Sequence, residues 1–320
     1  MKLSNRRILV TGGGGFLGQY VCAELERRGV AKRSLFVPRR REYDLTKASA
    51  AARLFKKARP SVVIHLAAEV GGIGANRKQP GRFFYANMAM GLNVIEQARI
   101  HRVKKIVQVG TVCSYPKHTP VPFKEDDLWN GYPEETNAPY GIAKKALLVM
   151  LQAYRAQYGL NGIYLIPVNL YGPGDDFDPA SSHVIPALIR KFIAARDRNR
   201  PTVTVWGSGR AGREFLYVED CARGIVQATL KYDGAAPINL GRGEEITIRR
   251  LAETIKTLTG YRGRIAWDRS MPDGQPRRRL DTRRAEKLLG FTARVSLNEG
   301  LKRTIHWYEE QRKAPARELV

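Results

Sequence analysis

Three glycines spaced by two residues, Gly12, Gly15 and Gly18, follow directly on the apolar run Ile8-Leu9-Val10 and lead into an amphipathic stretch that starts at Phe16. Glycine lets a chain turn sharply out of a strand and approach a ligand with no Cβ in the way. The helix that follows aims its unbonded N–H groups and the positive end of its dipole at an anion. The string Thr11-Gly-Gly-Gly-Gly-Phe16-Leu17-Gly18 therefore predicts a strand, a phosphate-cradling turn and a helix. Gly12, Gly15, Phe16, Leu17 and Gly18 become candidate contacts to the pyrophosphate of a dinucleotide. By itself the motif is weak, because flexible turns also collect glycines; its place in the first strand–helix loop gives it weight.

Short apolar runs then alternate with longer amphipathic ones. Strands are expected at 7–11, 34–37, 61–66, 105–110 and 163–168, and helices at 16–28, 48–58, 83–100 and 139–158. Such alternation predicts an α/β fold, a doubly wound parallel sheet of the Rossmann type with helices on both faces. The polar stretch 118–139 reads as an excursion loop. After Tyr171 the chain turns dense in Gly, Pro and Asp. We expect a dinucleotide-binding domain over 1–170 and a smaller C-terminal substrate domain over 171–320, with part of 214–240 returning to the first.

Composition sets the outer limits. No run of about 18 apolar residues occurs, so no membrane span is expected. The segment before Ile8 is too short and polar for a secretory leader, and Cys22, Cys113 and Cys221 lack disulfide or metal-ligand spacing. A reducing cytoplasm and no metal are the simplest expectations. The net charge of +25 stands out. It suits either a polyanionic partner or a solvated basic surface. The basic residues are spread along the whole chain and no aromatic-rich single-strand platform appears, which disfavours nucleic acid.

Two further patterns bear on chemistry. The second expected strand ends in Val37-Pro38-Arg39-Arg40-Arg41, with no acid until Glu42 and Asp44. An acid there would take the ribose 2′-hydroxyl of NAD, whereas arginine accommodates the 2′-phosphate of NADP, so Arg39 and Arg40 favour NADP(H), and Asp44 is placed near the adenine. A basic surface turn is the competing reading. Tyr140 and Lys144 share one face of the 139–158 helix, where an ammonium would lower the phenol's pKa. The pair is common by chance, but it follows the fourth strand, whose carboxyl end carries Thr111, Cys113 and Ser114.

With the glycine turn, Thr111 and Tyr140-Ile-Ala-Lys144 in place, the chain resembles the extended short-chain dehydrogenase/reductase family. More specific strings are similar to the branch of that family that epimerises and reduces GDP-4-keto-6-deoxymannose. They are His65-Leu-Ala-Ala-Glu-Val-Gly-Gly-Ile73, Cys113-Ser-Tyr-Pro-Lys117, Asn169-Leu-Tyr-Gly-Pro-Gly-Asp-Asp-Phe-Asp178, Ser182-His-Val-Ile-Pro-Ala-Leu-Ile-Arg-Lys191, Gly212-Arg-Glu-Phe215 and Pro272-Asp-Gly-Gln-Pro-Arg277.

The resemblance implies that Tyr140 is the proton donor to the C4 oxygen, Lys144 holds the nicotinamide ribose, and Thr111 stands in the place of a serine. It implies Cys113 and His183 as epimerase base and acid, and Asn169, Leu170 and His183 as further cofactor contacts. Lys191, Trp206, Arg213 and Asp273 are implied contacts to the GDP-sugar. Two departures show: Glu69 stands where lysine is usual, and Gly14 where some members place an arginine toward the 2′-phosphate.

The implied reaction is NADPH-dependent 3,5-epimerisation and C4 reduction to GDP-L-fucose. The chemistry is coherent, because a C4 ketone acidifies C3 and C5, and a thiolate and an imidazole can take and return protons at neutral pH. A related GDP-sugar C4 reductase, for instance on a GDP-keto-deoxyheptose, and more remotely a Rossmann-fold RNA-binding protein, are the alternatives. Family members pair the two helices expected at 83–100 and 139–158 across a twofold axis, so a homodimer is expected.

Overall fold

The computed structural model describes residues 1–271 and 273–313. Pro272, which opens one string above, the side chain of Ile73, and residues 314–320 of the expected second domain lie outside that description. The first half runs β1 (Ile8–Thr11), α1 (Phe16–Arg27), β2 (Leu35–Phe36), α2 (Ala48–Ala58), β3 (Val62–His65), α3 (Ile73–Lys78), α4 (Pro80–Ile100), β4 (Lys105–Val109), α5 (Ala138–Tyr158) and β5 (Gly162–Pro167). These strands are apolar on both faces because helices cover both, and β1, β3, β4 and β5 are buried at every position.

The second half runs β6 (Asn169–Tyr171), α6 (Val184–Asp197), β7 (Thr202–Trp206), β8 (Gly212–Arg213), β9 (Phe215–Tyr217), α7 (Val218–Lys231), β10 (Ile238–Leu240), β11 (Ile246–Thr247), α8 (Ile248–Leu258), β12 (Arg264–Asp268), α9 (Arg283–Leu289) and α10 (Leu297–Lys313). The main sheet has six strands in the order β10-β5-β4-β3-β1-β2. All are parallel, so the doubly wound α/β expectation holds. Register aligns Thr11 with His65 and His65 with Gln108, which brings the carboxyl ends of β1, β3 and β4 to one level. The order reverses between β1 and β3, where such sheets open a crevice for ligands.

The chain crosses repeatedly between two hydrophobic cores. One core surrounds the main sheet. The other gathers Ile189, Phe192, Ile193, Leu251, Ile255 and Leu301 from α6, α8 and α10. β10 joins the main sheet beside β5, and α7 packs against α1. Lys105, fully buried on β4, donates to the Thr229 carbonyl at 2.8 Å and pairs with Asp233 at 2.7 Å, tying the end of α7 to the sheet.

Local chemistry explains where boundaries differ from expectation. β2 is only two residues long because Lys32–Ser34 form a 3-10 turn before it and Pro38, with no N–H, follows Val37. α4 begins at Pro80, whose missing N–H costs nothing in the first helical turn. The fifth strand stops at Pro167; Val168 donates to the Leu240 carbonyl, and Asn169–Tyr171 leaves the main sheet to pair with β9.

α4 and α5 lie against each other through Gly91, where an added Cβ would sit 2.1 Å from Leu147 Cδ1 and 2.9 Å from its Cγ. Leu147 is fully buried and has no room to yield. Gly91→Ala should therefore destabilise the protein by about 1–3 kcal/mol despite alanine's better helix propensity. A thermal melt checks this: an unchanged or raised Tm would show that the helices part at little cost.

Candidate active site

A cavity of about 780 Å³ runs along the carboxyl edge of the main sheet and on between the two cores. At one end is the glycine turn. Gly12 has φ +72°, and a Cβ on it would stand 2.7 Å from the Ala67 amide nitrogen, so the loops after β1 and β3 touch backbone to backbone. A Cβ on Gly18 would stand 2.1 Å from the Gly12 carbonyl oxygen. Helix α1 starts at Phe16 with no side chain capping it, leaving its first N–H groups to a ligand. Gly15, Phe16 and Leu17 line the cavity here. These features fit a pyrophosphate.

Arg40 and Asp44 line the cavity, while Arg39 is exposed and stands outside the lining. Asp44 accepts from the Thr46 hydroxyl at 2.7 Å and the Thr46 amide at 3.1 Å, bonds that hold its carboxyl below the usual range. Arg40 donates to Glu69 at 3.1 Å, and Arg82 grips the same carboxylate at 2.7 Å. The hydrogen bond from Arg82 is the chief influence holding Glu69 low.

At the centre, the carboxyl end of β4 leads into a 3-10 turn, Val112–Ser114. Thr111 caps that turn, its Oγ1 accepting from the Cys113 amide at 3.2 Å. Helix α5 lies directly on it: a Cβ on Gly141 would be 2.3 Å from the Cys113 carbonyl oxygen, and the Ser114 hydroxyl donates to the Gly141 carbonyl at 3.0 Å. Gly141 thus brings its neighbour Tyr140 against Thr111 and Cys113. Burial pushes the Tyr140 phenol well above its ordinary value, Cys113 adds to the rise, and a hydrogen bond with Thr111 opposes it. Lys144, buried one turn along, is lowered by burial to about 8. The expectation that the ammonium lowers the phenol is therefore corrected. Packing around both groups favours the neutral phenol and weakens the cation meant to stabilise its anion, while Tyr140 keeps part of its surface open to the cavity.

His183, at the N-cap of α6, faces the cavity with part of its surface accessible. Protein packed on its other sides lowers the imidazole below its usual value, Asp176 raises it, and Arg278 lowers it further. Asn169 and Leu170 line the cavity from β6, and Asn169 Nδ2 donates to the Glu214 carbonyl at 3.0 Å.

The far end belongs to the second core. Lys191 donates to the Thr204 carbonyl at 3.0 Å and sits 5.7 Å from the ring centroid of Trp206, itself 56% exposed. Burial brings the Arg213 guanidinium down to about 10, with Arg278 adding to the fall and Cys113 opposing it, so it stays charged at neutral pH. Arg213 Nη2 donates to the Asp273 carbonyl at 2.9 Å, and the Asp273 carboxylate accepts from the Ser208 amide and hydroxyl at 2.8 and 2.6 Å. Except for Arg39, the structure thus places every candidate residue named from the sequence on this one cavity.

Sequence reasoning missed Arg278 and Gln275. Both are buried and line the cavity, and Arg278 Nη1 lies 3.7 Å from the Cys113 sulfur. Gln275 lies inside the string that ends at Arg277, with no role attached to it, and Arg278 stands in a run of three arginines, Arg277-Arg278-Arg279, of the kind a solvated surface carries. Asp175 was missed too. It is buried at the cavity wall with Oδ2 unpartnered, and burial raises its carboxyl to about 7.

Comparison with known proteins follows the same lines. Residues 8–241 match the model of the NAD dependent epimerase/dehydratase family. The chain is 41% identical over 308 residues to GDP-L-fucose synthase 1 of Arabidopsis thaliana, covering 96% of this chain and 94% of that one. It is similar in structure to a GDP-6-OMe-4-keto-L-xylo-heptose reductase from C. jejuni, at 29% identity and a TM-score of 0.91, covering 96% and 99% of the two chains. It is also similar to a GDP-L-fucose synthetase from Naegleria fowleri bound to NADP, at 28% identity and a TM-score of 0.86, covering 97% and 96%.

The glycine turn yields a direct test. Gly18→Ala must open the contact with the Gly12 carbonyl, whereas Gly14→Ala adds a methyl group with nothing within 4 Å. The first should weaken dinucleotide binding by roughly tenfold or more, about 1.4 kcal/mol, and the second should leave it nearly unchanged. Fluorescence titration with NADPH measures both; equal affinities would show that the turn does not form the binding site.

Proposed function

The chain belongs to the NAD dependent epimerase/dehydratase family, and from that membership we infer that it converts GDP-4-keto-6-deoxymannose to GDP-L-fucose by epimerisation at C3 and C5 and NADPH-dependent reduction at C4. The observation that carries the reading is the convergence of Cys113, Thr111, Tyr140, Lys144 and His183 on one cavity that begins at the glycine turn. The glycine turn and the start of α1 hold the pyrophosphate, Lys144 the nicotinamide ribose, and Asn169 and Leu170 flank the cofactor. Arg40 takes the 2′-phosphate. NADPH supplies the hydride that reduces C4.

The protein's own groups do the rest. Cys113 removes the proton from C3 and from C5, and His183 returns one to the opposite face. Thr111 and Tyr140 donate hydrogen bonds to the oxygen at C4 while it carries the enolate charge. A phenol kept protonated by burial is a poor acid toward water but a sufficient one toward an alkoxide, so Tyr140 releases its proton only as C4 is reduced. Lys191 and Arg213 meet the diphosphate, and Trp206 and Asp273 complete the GDP-sugar contacts.

The protein assembles as a homodimer through α4 and α5. Phe84, Tyr85 and Leu92 on α4 and Val149 on α5 are exposed, apolar positions on adjoining helices. Cys22, Cys113 and Cys221 are all free, which suits a reducing cytoplasm. No helix among the described residues is long and apolar enough to cross a membrane.

Incubation with GDP-4-keto-6-deoxymannose and NADPH, with the product's stereochemistry read by NMR, tests the reading. A product reduced at C4 with C3 and C5 unchanged would make the protein a plain C4 reductase. Cys113→Ser should stop solvent deuterium entering C3 and C5. Tyr140→Phe should suppress reduction by on the order of 10²-fold while some exchange survives through Thr111. Mass spectrometry of the sugar reads both, and wild-type exchange in Cys113→Ser would remove Cys113 from the mechanism.

Arg40→Ala should raise the KM for NADPH and leave that for NADH nearly unchanged; equal effects would detach Arg40 from the 2′-phosphate. For Lys144 the sign follows from its lowered value. Its ammonium is present below about pH 8 and lost as pH rises through that point, so kcat/KM for reduction should fall above about pH 8. A profile flat to pH 10 would contradict a role for the cation.

A further inference from the structure

Arg278 has no place in the chemistry above, yet it is 6% exposed and points into the site. Its guanidinium is held on three sides. Nε and Nη2 donate to Gln275 Oε1 at 3.3 and 3.1 Å, and Nη1 donates to Asn169 Oδ1 at 3.3 Å and lies 3.7 Å from Cys113 Sγ. Gln275, 2% exposed, is fixed in turn, its Nε2 donating to the carbonyls of Pro116 and Lys117 at 3.3 and 3.2 Å. These carbonyls lie on the segment that leaves Cys113. The guanidinium and the sulfur are therefore braced against the same stretch of chain.

Its charge is what needs an account. Arg277 pairs with the Glu245 carboxylate at 2.6 Å, and Arg284 with that of Asp126 at 2.8 Å. Among the described residues Arg278 meets two neutral amides and a sulfur. A buried cation without a counter-ion is costly, and the cost falls when a negative charge forms beside it.

We propose that Arg278 is the cationic partner of the Cys113 sulfur, stabilising the thiolate that abstracts the C3 and C5 protons. The proposal rests on the reading of Cys113 as the base. In that step the C–H bond breaks, its proton goes to sulfur to form S–H, and its electron pair goes through the enolate to the C4 oxygen. Arg278 thereby favours proton abstraction over direct hydride delivery to the unepimerised ketone. The other groups around the sulfur do not replace it. Tyr140, on α5, is a neutral phenol, raised by burial and further by Cys113. Lys144, also on α5, is lowered by its own burial. Arg213, on β8, is engaged by the Gly212 and Asp273 carbonyls and feels Glu134 and Asp273 as well. His183, at the start of α6, is pushed toward its neutral form chiefly by burial, with Asp176 opposing and Arg278 adding a smaller push.

The test uses the full chain and a small neutral electrophile, iodoacetamide, with alkylation of the Cys113 peptide followed by mass spectrometry at pH 7. Arg278→Met keeps bulk and removes charge; it should slow alkylation by roughly tenfold, since the thiolate is the reacting form. Arg278→Lys should recover most of the rate, a rescue that packing alone would not produce. Should the Met variant not fold, Gln275→Ala keeps the charge but frees its aim, and should slow alkylation by a smaller factor. Deuterium entry at C3 and C5 should fall in the same order across the variants. Wild-type alkylation rates in Arg278→Met, or in Gln275→Ala where that variant stands in for it, overturn the proposal. If Cys113→Ser exchanges deuterium as the wild type does, the reading of Cys113 as base fails instead. The alkylation rates still decide whether Arg278 governs the sulfur.

Discussion

Everything in the site depends on strands that all run one way. In a parallel sheet each strand returns through a crossover on the far side, so the carboxyl ends of β1, β3, β4 and β5 emerge along one edge. Residues far apart in sequence then have no choice but to meet. The glycine turn leaves β1, the Ala67 loop leaves β3, Thr111 and Cys113 leave β4, and Asn169 follows β5. The helices fix depth as well as direction. Because Gly141 lies directly on the Cys113 carbonyl, α5 delivers Tyr140 and Lys144 onto the same floor.

Electrostatics divides the cavity into zones. Toward the adenosine end, the exposed guanidinium groups of Arg40 and Arg82 close on the largely buried Glu69 carboxylate. At the centre the cations sit deeper in the protein. Lys144 and Arg278 are buried cations, and the cysteine and phenol beside them are the groups whose protons are to move. Much of the surface arginine is spent on Glu24, Glu96, Glu245 and Asp281, where exposed pairs contribute little.

How much of this could be read from the chain alone follows from sequence distance. The glycine turn, the buried strands and Tyr140 with Lys144 are local patterns with a fixed period, so they were legible. The split between β5 and β6 was not, since whether Asn169 continues a strand depends on the arrival of β9 from 46 residues later. Arg278 was hidden for the same reason: it meets Cys113 across 165 residues of chain, and a run of three arginines looks like surface. The environment of Tyr140 was misjudged because a helical wheel shows that Lys144 is near but not how far packing around the two shifts both groups toward their neutral forms. Arg39 and Arg40 looked equivalent by composition, and only the course of the turn places one at the cavity and leaves the other outside it.

The path of the chain through β10 has a bearing on how such a protein can be divided. The second half of the sequence lends its strand Ile238–Leu240 to the edge of the first sheet, and α7 lends a covering face to α1 before the chain goes back to build β11 and α8. A fragment ending near residue 170 would carry β5 with one side unpaired, an apolar ribbon of Ile163, Leu165 and Ile166 open to any passing strand. The halves are therefore not modules that recombination could exchange. They are two turns of one knotless braid, inherited whole, with the ligand cleft where the strands of the braid part.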